Sequence, residues 1–343
     1  MGHSDLSVKS PPMTVTVVGA GSWGTALALV LARNGHAVRI AGRESDALTS
    51  LSLVRENRRY LPGFVLPEGI QVQSLLEDVP ESDLTVVAVP SGAAHEVLKV
   101  VGRSPVVVVA SKGLAPGGES LLSDQIAAAC PDSKIVVLSG PNLAVELAQG
   151  VPTVAVAASA DEPSACRVRD AFHCRTYRVY ISDDVAGVET AGALKNVVAI
   201  AAGMSDGLGF GDNTKGAVLA RGLNEMARIG LAMGARIETF LGIAGVGDLF
   251  ATANSKLSRN YRVGYGLGEG KPLKQILDNI GQVAEGVTTA NLALQMARRL
   301  GVQAPITEVV QAVMLGTVEP RSAVWQLMER TPKKEGVLGP GGE

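Results

Sequence analysis

Lys195 is a single charged residue in a long apolar segment, 192–200, which reads Gly-Ala-Leu-Lys-Asn-Val-Val-Ala-Ile. The segment predicts a helix in which Gly192 and Ala199 lie on the same face as Lys195 and leave room for a ligand. Burial would lower the pKa of this lysine and suit it to proton transfer. From the helical pattern alone, however, a lysine whose ammonium snorkels to solvent is the better interpretation.

Polar residues also follow two predicted strands, at the strand ends where parallel sheets hold their ligands. Lys112 comes just after the apolar run 106–110, and Gly140 and Asn142 follow the run 135–138. These positions favour a binding role for Lys112, although an ordinary surface lysine would produce the same pattern.

A third polar set lies further along the chain, with Asp248 in Gly-Val-Gly-Asp-Leu and the triplet Ser258, Arg259 and Asn260. A guanidinium can bind a phosphate through two parallel hydrogen bonds, with Ser258 and Asn260 as further donors. The alternative interpretation is a helix cap followed by a surface arginine.

A glycine-rich turn near the start of the chain predicts a dinucleotide site. The apolar run 15–18 leads into Gly-Ala-Gly-Ser-Trp-Gly, with Gly19, Gly21 and Gly24 in the G-x-G-x-x-G spacing before a helical pattern. In this context Gly19 permits the tight turn, Gly21 lets main-chain N–H groups approach a pyrophosphate, and Gly24 lets the helix pack on the strand.

The end of the second predicted strand bears on which nicotinamide cofactor binds. NAD-selective sites place an acid about 20 residues after the turn, but here Gly42 occupies that position and Arg43 follows it. A guanidinium suits a 2′-phosphate, so we expect NADPH to be preferred. The alternative is that Arg43 is a solvated loop residue and that Glu44 binds the ribose.

The elements that must position these residues fall into two parts. Seven apolar runs predict buried strands, at 15–18, 37–41, 85–89, 106–110, 134–138, 153–157 and 176–181. Helical patterns between them include 25–34, 93–101 and 120–129. This alternation predicts an α/β, Rossmann-type, doubly wound and mainly parallel sheet over 13–182.

After residue 182 the strand-like runs largely stop and Ala- and Leu-rich helical segments follow. They cover 184–204, 214–233, 237–251, 272–280, 287–300 and 305–314. We therefore expect an all-α C-terminal domain over 183–331. The polar ends, 1–12 and 332–343, predict disordered tails.

Composition excludes several classes of protein. A net charge of −2 gives no basic excess, so we expect no nucleic-acid partner. Three cysteines without Cys-x-x-Cys spacing argue against a disulfide framework and a zinc site, and we expect no metal. The N-terminal stretch lacks the apolar core of a signal peptide, and no apolar stretch suggests a membrane span. We expect a cytoplasmic protein without a stable membrane anchor.

Taken together, these motifs resemble the NAD(P)-dependent glycerol-3-phosphate dehydrogenases of the bacterial biosynthetic type. The matching stretches run along nearly the whole chain, at 19–28, 57–63, 88–91, 111–114, 139–142, 193–197, 203–211, 247–249, 258–260 and 281–286. Several independent motifs in one order are far more specific than the glycine-rich turn alone.

The resemblance implies reversible reduction of dihydroxyacetone phosphate to sn-glycerol 3-phosphate for phospholipid synthesis, with Lys195 as proton donor and acceptor. It implies that the substrate is held by Lys112, Gly140, Asn142, Asp248, Ser258, Arg259 and Asn260. It also implies that NADP(H) or NAD(H) is bound by Gly19, Gly21, Ser22, Trp23, Gly24, Arg43, Tyr60, Lys112, Ala144, Arg259, Val283 and Glu285. The helical domain could present the interface of a homodimer.

Two positions depart from the pattern of this family. Gly92 stands where many relatives carry a larger polar side chain, which removes one possible cofactor contact, and Asn142 stands where Thr is frequent. Asn can still donate and accept hydrogen bonds, so we keep it as a ligand. None of the four histidines falls within the set, and we expect none to be catalytic.

Two other functions fit parts of the pattern. A β-hydroxyacid or 6-phosphogluconate-type dehydrogenase also joins a Rossmann domain to helices and uses a lysine, but Ser258, Arg259 and Asn260 argue against it. A non-catalytic dinucleotide sensor would need the glycine-rich turn, but not Lys195, Asp248 and Arg259 together.

Overall fold

The protein is described by a computed structural model that covers residues 11–43 and 48–330. The two predicted disordered tails lie outside the described residues, apart from Pro11 and Pro12, which belong to no helix or strand. Glu44, the alternative ribose ligand, also lies outside them.

The N-terminal part is built on one eight-stranded sheet, in the order β3-β2-β1-β4-β5-β6-β7-β8. The strands are β1 Thr14–Val18, β2 Ala37–Gly42, β3 Gln71–Ser74, β4 Leu84–Val87, β5 Val106–Val109, β6 Lys134–Ser139, β7 Thr153–Ala158 and β8 Tyr177–Ser182. All neighbouring strands are parallel except β6 and β7. The strand order reverses direction at β1 and β4, so the predicted doubly wound, mainly parallel sheet is confirmed.

The central strands are buried on both faces, as their apolar runs predict. Val17 of β1 pairs with Ile40 of β2 and with Val86 of β4, and all three side chains are fully buried. Strand β3 was not predicted, because this edge strand reads Gln-Val-Gln-Ser, is at least partly exposed and has no apolar run.

Helices cover both faces of the sheet. They are α1 Ser22–Arg33, α2 Leu48–Val54, α3 Ala94–Leu98, α4 Leu122–Ala129, α5 Ala144–Gln149 and α6 Glu162–Phe172. The helix predicted over 93–101 is shorter in the structure, since a 3₁₀ turn occupies Ser91–Ala93 and α3 ends at Leu98.

The part that follows the sheet is helical throughout its described residues, which confirms the predicted fold class. Its helices are α7 Val185–Gly207, α8 Asp212–Ala232, α9 Ile237–Leu241, α10 Asp248–Ala253, α11 Arg259–Gly268, α12 Leu273–Ile280, α13 Glu285–Arg299, α14 Pro305–Met314 and α15 Pro320–Met328. The single helix predicted over 237–251 is interrupted by a π-helical turn, Ile243–Gly247.

Helix α7 is the centre of the helical part and corrects one expectation. By length and composition alone it could cross a membrane, whereas the sequence analysis found no such stretch. Most of it is buried inside the protein, between helices that include α8, α11 and α13. A buried core helix of a water-soluble fold passes the same test of length and composition.

Helix α11 packs on α7 with main chain against main chain. A Cβ atom added at Gly203 of α7 would lie 2.1 Å from the carbonyl oxygen of Tyr261, and one added at Gly264 of α11 would lie 1.9 Å from that of Ile200. The glycines that permit this approach also have low helix propensity. They explain why the sequence pattern did not predict α11.

Two buried glutamates, one on α7 and one on α8, cap the N-termini of other helices. Glu189 of α7 accepts hydrogen bonds from the N–H groups of Leu122 and Ser123 at the start of α4. Glu225 of α8 accepts them from Ile306 and Thr307 at the start of α14. Burial raises the pKa of both carboxyl groups, to about 7 for Glu189. A helix start attracts negative charge, which opposes that effect.

We predict that Glu225→Gln destabilises the protein, because an amide NH₂ would face N–H donors that are buried with it. The free energy of unfolding should fall by about 2 kcal/mol in urea denaturation at pH 8. The control is Glu308→Gln, an exposed carboxylate in α14, the helix that Glu225 caps. This substitution should change the free energy of unfolding by less than about 0.5 kcal/mol. Equal effects of the two substitutions would contradict the capping role of Glu225.

Candidate active site

A cluster of two ammonium groups around one carboxylate lies where the helical part meets the sheet. The Nζ atom of Lys195 donates to Oδ1 of Asp248 at 2.5 Å and to Oγ1 of Thr252 at 2.6 Å. The Nζ atom of Lys112 donates to Oδ2 of the same carboxylate at 2.9 Å and to the carbonyl oxygen of Gly140 at 2.6 Å. Residues that the sequence places 136 positions apart therefore share one buried ion-pair network.

Burial lowers the pKa of Lys195 within this cluster. Lys195 is 4% exposed and Asp248 is fully buried, so the ammonium does not snorkel to solvent. Desolvation lowers the pKa of Lys195 to about 7; Asp248 raises it, and the nearby charge of Lys112 lowers it further. Two positive groups and one negative group leave the cluster one charge positive when all are ionised. Such a site attracts an anion and holds a lysine that can exchange a proton near neutral pH.

The sheet and the helices each supply part of this cluster. Lys112 follows β5 and Gly140 follows β6, so both come from the carboxyl end of the sheet. Gly140 has φ of 144°, and a Cβ atom there would lie 2.9 Å from the carbonyl oxygen of Val154. Only glycine therefore fits where the Gly140 carbonyl accepts from Lys112. The π-helical turn ends where α10 begins, at Asp248, and so brings this carboxylate to the buried face of α7.

Asn142 lies in the same region, with its amide held by two partners. Its Nδ2 donates to the carbonyl oxygen of Val154 at 2.7 Å, and its Oδ1 accepts from the hydroxyl of Tyr177 at 2.8 Å. The amide nitrogen carries a second hydrogen. Burial raises the pKa of Tyr177, and the charge of Asp248 raises it as well. Its hydroxyl is therefore protonated and able to donate to Asn142.

A chain of amides connects Lys112 with α11 and α13. Asn196 Nδ2 donates to the carbonyl oxygen of Lys112 at 3.0 Å, and its Oδ1 accepts from Asn260 Nδ2 at 2.8 Å. Asn260 Oδ1 in turn accepts from the N–H of Gly286 at 2.9 Å. The side chain of Asn260, expected to bind substrate, thus also holds three helices in register, and one N–H of its amide remains for a ligand.

The start of α11 carries the predicted phosphate-binding arginine. Ser258 is the N-cap, and its hydroxyl accepts from the N–H of Tyr261. The cap interpretation of Ser258 is therefore correct. Burial lowers the pKa of Arg259, while the negative charge of Glu285 raises it. Glu285 accepts from the N–H of Ser91 at 3.3 Å and from its hydroxyl at 3.4 Å, which joins the helical part to the end of β4.

The glycine-rich turn has the geometry that a pyrophosphate requires. Gly19 has φ of 118°, and a Cβ atom there would lie 2.6 Å from the carbonyl oxygen of Ala88. A Cβ atom at Gly24 would lie 2.0 Å from the carbonyl oxygen of Gly19, whereas one at Gly21 would meet open space. No side chain caps α1, which begins at Ser22. Its first N–H groups therefore remain for an anion, so these residues fit a dinucleotide.

The turn is also connected to the lysine cluster. The indole Nε1 of Trp23 donates to the carbonyl oxygen of Ala110 at 3.0 Å, and the ammonium of Lys112 lies 5.9 Å from the indole ring. Trp23 therefore links the predicted cofactor site to the predicted substrate site.

The other expected cofactor residues are spread around this region. Arg43 is exposed at the end of β2, Tyr60 lies in the loop after α2, and Ala144 begins α5. Val283 is half-exposed just before α13. A Cβ atom at Gly42 would lie 2.9 Å from Cβ of Ala20, so no acidic side chain fits there to bind a ribose.

Three residues of this site were not predicted from the sequence, namely Thr252, Asn196 and Tyr177. Thr252 lies four residues after Asp248, on the same face of α10, and this spacing could have identified it. Asn196 adjoins Lys195 inside a motif already singled out. Tyr177 gave no signal, because its contact with Asn142 depends on the pairing of β7 with β8.

The described residues contain no group of three or more His, Cys, Asp and Glu side chains that could hold a metal ion. The chemistry of the site is that of ammonium, carboxylate, amide and guanidinium groups.

The chain matches known proteins along almost its whole length. Residues 14–165 match the family described as NAD-dependent glycerol-3-phosphate dehydrogenase N-terminus, and 184–325 match its C-terminus. A glycerol-3-phosphate dehydrogenase [NAD(P)+] of Geobacillus kaustophilus is 45% identical over 329 residues, which are 94% of this chain and 96% of that protein. One from Desulfitobacterium hafniense is 43% identical over 325 residues, 94% of this chain and 92% of that protein.

A solved structure agrees with these matches. The crystal structure of glycerol-3-phosphate dehydrogenase from Coxiella burnetii superposes with a TM-score of 0.88 at 37% identity, and covers 93% of this chain and 99% of that one. The resemblance drawn from the motifs is thereby confirmed.

We predict that Asp248→Asn destabilises the protein strongly, because it leaves the buried ammonium of Lys195 and the partly buried ammonium of Lys112 without their shared carboxylate. The free energy of unfolding should fall by about 3 kcal/mol in urea denaturation at pH 7. The control, Asp278→Asn, breaks an exposed pair with Lys274 and should cost less than about 1 kcal/mol. A loss for Asp248→Asn no larger than that of the control would refute the role of the buried network.

Proposed function

The chain belongs to the NAD-dependent glycerol-3-phosphate dehydrogenase family and interconverts dihydroxyacetone phosphate and glycerol 3-phosphate with NAD(P)(H), and we propose that Lys195 is its proton donor and acceptor. The observation that carries this proposal is the buried Lys195 ammonium, hydrogen-bonded to Asp248 beside Lys112. Its pKa near 7 lets it hold a proton for reduction and release one for oxidation.

The proposed mechanism divides the work between the cofactor and these side chains. NAD(P)H, when bound, supplies the hydride that adds to the carbonyl carbon of dihydroxyacetone phosphate. Lys195 stabilises the negative charge that develops on the carbonyl oxygen and donates the proton that completes the hydroxyl group. Asp248 keeps the ammonium in place in surroundings that exclude water, where charge stabilisation is strongest. In oxidation, neutral Lys195 accepts the hydroxyl proton.

The remaining residues bind and orient the substrate. Lys112 adds a second positive charge beside the reacting centre, and Asn142 has an amide N–H to donate. Arg259, with Ser258 and Asn260 at the start of α11, binds the phosphate, so that binding energy from the far end of the substrate orients the reacting end. The partial positive charge of the helix start contributes to the same binding.

We further propose a cofactor preference, a cellular role and an oligomeric state. Arg43 binds the 2′-phosphate and gives a preference for NADPH, supported by the lack of room for an acid at Gly42. The reaction supplies glycerol 3-phosphate for phospholipid synthesis in the cytoplasm, where the three free thiols stay reduced. The protein forms a homodimer through its helical part, which exposes large apolar side chains such as Phe250 and Trp325.

We predict that Lys195→Met lowers turnover of dihydroxyacetone phosphate by about 100-fold or more, because the proton donor is lost. The variant should still bind NADPH, which fluorescence titration measures, since Lys195 does not belong to the proposed dinucleotide turn. The control is Lys256→Met, at an exposed residue, which should leave turnover unchanged. Near-normal turnover of Lys195→Met would remove Lys195 from the mechanism.

The pH dependence of the reaction tests the same role of Lys195, with a variant that keeps a positive charge at this position. For reduction, wild-type kcat/KM should fall as pH rises through about 7, because the protonated ammonium is the active form. Lys195→Arg keeps a cation that does not deprotonate in this range, so its residual activity should lack this decline.

We predict that Arg43→Asp shifts the preference from NADPH toward NADH, because a carboxylate repels the 2′-phosphate and can accept from a ribose hydroxyl. The ratio of kcat/KM for NADPH to that for NADH should fall by about 10-fold or more, as expected when a charge-assisted contact is lost. Arg58→Asp, at an exposed arginine outside the proposed site, is the control. An unchanged ratio would show that Arg43 does not bind the 2′-phosphate.

A further inference from the structure

Asn57 has a buried side-chain amide beside the glycine-rich turn. It follows α2 and is 3% exposed. Both hydrogens of its Nδ2 are used, since this atom donates to the carbonyl oxygen of Ala20 at 2.9 Å and to Oγ1 of Thr25 at 2.8 Å. Its Oδ1 accepts from the N–H of Tyr60 at 3.2 Å. A fully satisfied buried amide of this kind fixes the orientation of the groups it contacts.

Through its hydrogen bond to Thr25, Asn57 is also connected to a second carbonyl group of the turn. The Thr25 hydroxyl accepts from Asn57, and it donates to the carbonyl oxygen of Gly21 at 2.8 Å. Thr25 is itself fully buried. Asn57 therefore fixes the carbonyl of Ala20 directly and the carbonyl of Gly21 through one hydroxyl.

The orientation of these two carbonyl groups also determines the orientation of the N–H groups of Gly21 and Ser22. In a trans peptide the C=O and the following N–H point in opposite directions. The N–H of Gly21 must then point away from Asn57, and the N–H of Ser22 must point away from the Thr25 hydroxyl. Neither makes a hydrogen bond to another described residue, and the space beside Gly21 is open.

We propose that Asn57 is a positioning residue for dinucleotide binding, which holds the carbonyls of Ala20 and Gly21 so that the N–H groups of Gly21 and Ser22 face the pyrophosphate. Asn57 touches neither the cofactor nor the substrate in this role. It acts through the main chain of the turn, and the inference rests on the proposed dinucleotide site.

The first test uses Asn57→Ala and Thr25→Val, which remove the two links separately. Each should raise the dissociation constant of NADPH by about 10-fold, the size expected when N–H donors lose their alignment. At saturating NADPH, kcat and the KM for dihydroxyacetone phosphate should change by less than about twofold. A role in stability alone would leave NADPH affinity unchanged in the folded variants, and that result would overturn the proposal. If Asn57→Ala does not fold, Thr25→Val decides.

Two fragments of the cofactor show where the affinity is lost. Binding of 2′-phospho-ADP-ribose, which contains the pyrophosphate, should weaken as much as binding of NADPH. Binding of 2′-AMP, which lacks it, should be unchanged. Equal weakening of both fragments would mean that Asn57 acts through the Tyr60 loop, and would refute the proposal. If the wild-type protein bound neither NADPH nor the fragments, the dinucleotide site itself would be wrong.

The matched control is Asn34→Ala, at the opposite end of α1. The Asn34 amide donates to the carbonyl oxygen of Ala171 at 2.8 Å, so its loss removes a comparable side-chain to main-chain bond. This variant should lose stability without any change in NADPH affinity. A similar loss of NADPH affinity in Asn34→Ala would show that any weakening of α1 is sufficient, and would also overturn the proposal.

Discussion

The carboxylate of Asp248 is shared by two ammonium groups, and the arrangement of the site depends on it. Without this carboxylate, Lys112 and Lys195 would place two like charges together in a region that excludes water. With it, one lysine from the sheet and one from the central helix are held at a fixed separation. The same carboxylate partly offsets the desolvation of Lys195, so the lysine keeps a pKa near neutrality. The packing of the site and the proposed proton transfer therefore depend on one interaction.

The neighbouring strands and helices bring Asp248 and the two lysines together. Lys112 and Gly140 come from the ends of β5 and β6, Lys195 comes from α7, and the π-helical turn delivers Asp248. Asn196 and Asn260 then connect the Lys112 main chain to α11 and α13. The groups expected to contact the substrate are held in place by hydrogen bonds to one another and to neighbouring side chains. Such a site is organised before its ligand arrives, which reduces the reorganisation needed during the reaction.

The sequence predicted those features that depend on local pattern. Apolar runs located the central strands, and the glycine spacing located the turn between β1 and α1. The edge strand β3 was not predicted because it has no apolar run. Helix α11 was not predicted because the glycines that let it pack are weak helix formers. At the site, family motifs supplied Lys195, Asp248 and Arg259, while geometry alone revealed Tyr177. Its hydroxyl contacts Asn142 only because β7 and β8 pair in one register. The register between two strands cannot be predicted from the sequence of either strand alone.

The main-chain contact between α7 and α11 has a consequence for which substrates can fit. Lys195 lies on one of these helices and Arg259 begins the other, so the gap between the proposed proton donor and the proposed phosphate anchor is set by two backbones in contact. Side chains between helices can repack and so tolerate changes of a few tenths of an ångström. Backbones that already touch cannot come closer. The glycine contact thus acts as a rigid spacer between Lys195 and Arg259, and it would prevent the two residues from moving closer together to suit a shorter substrate.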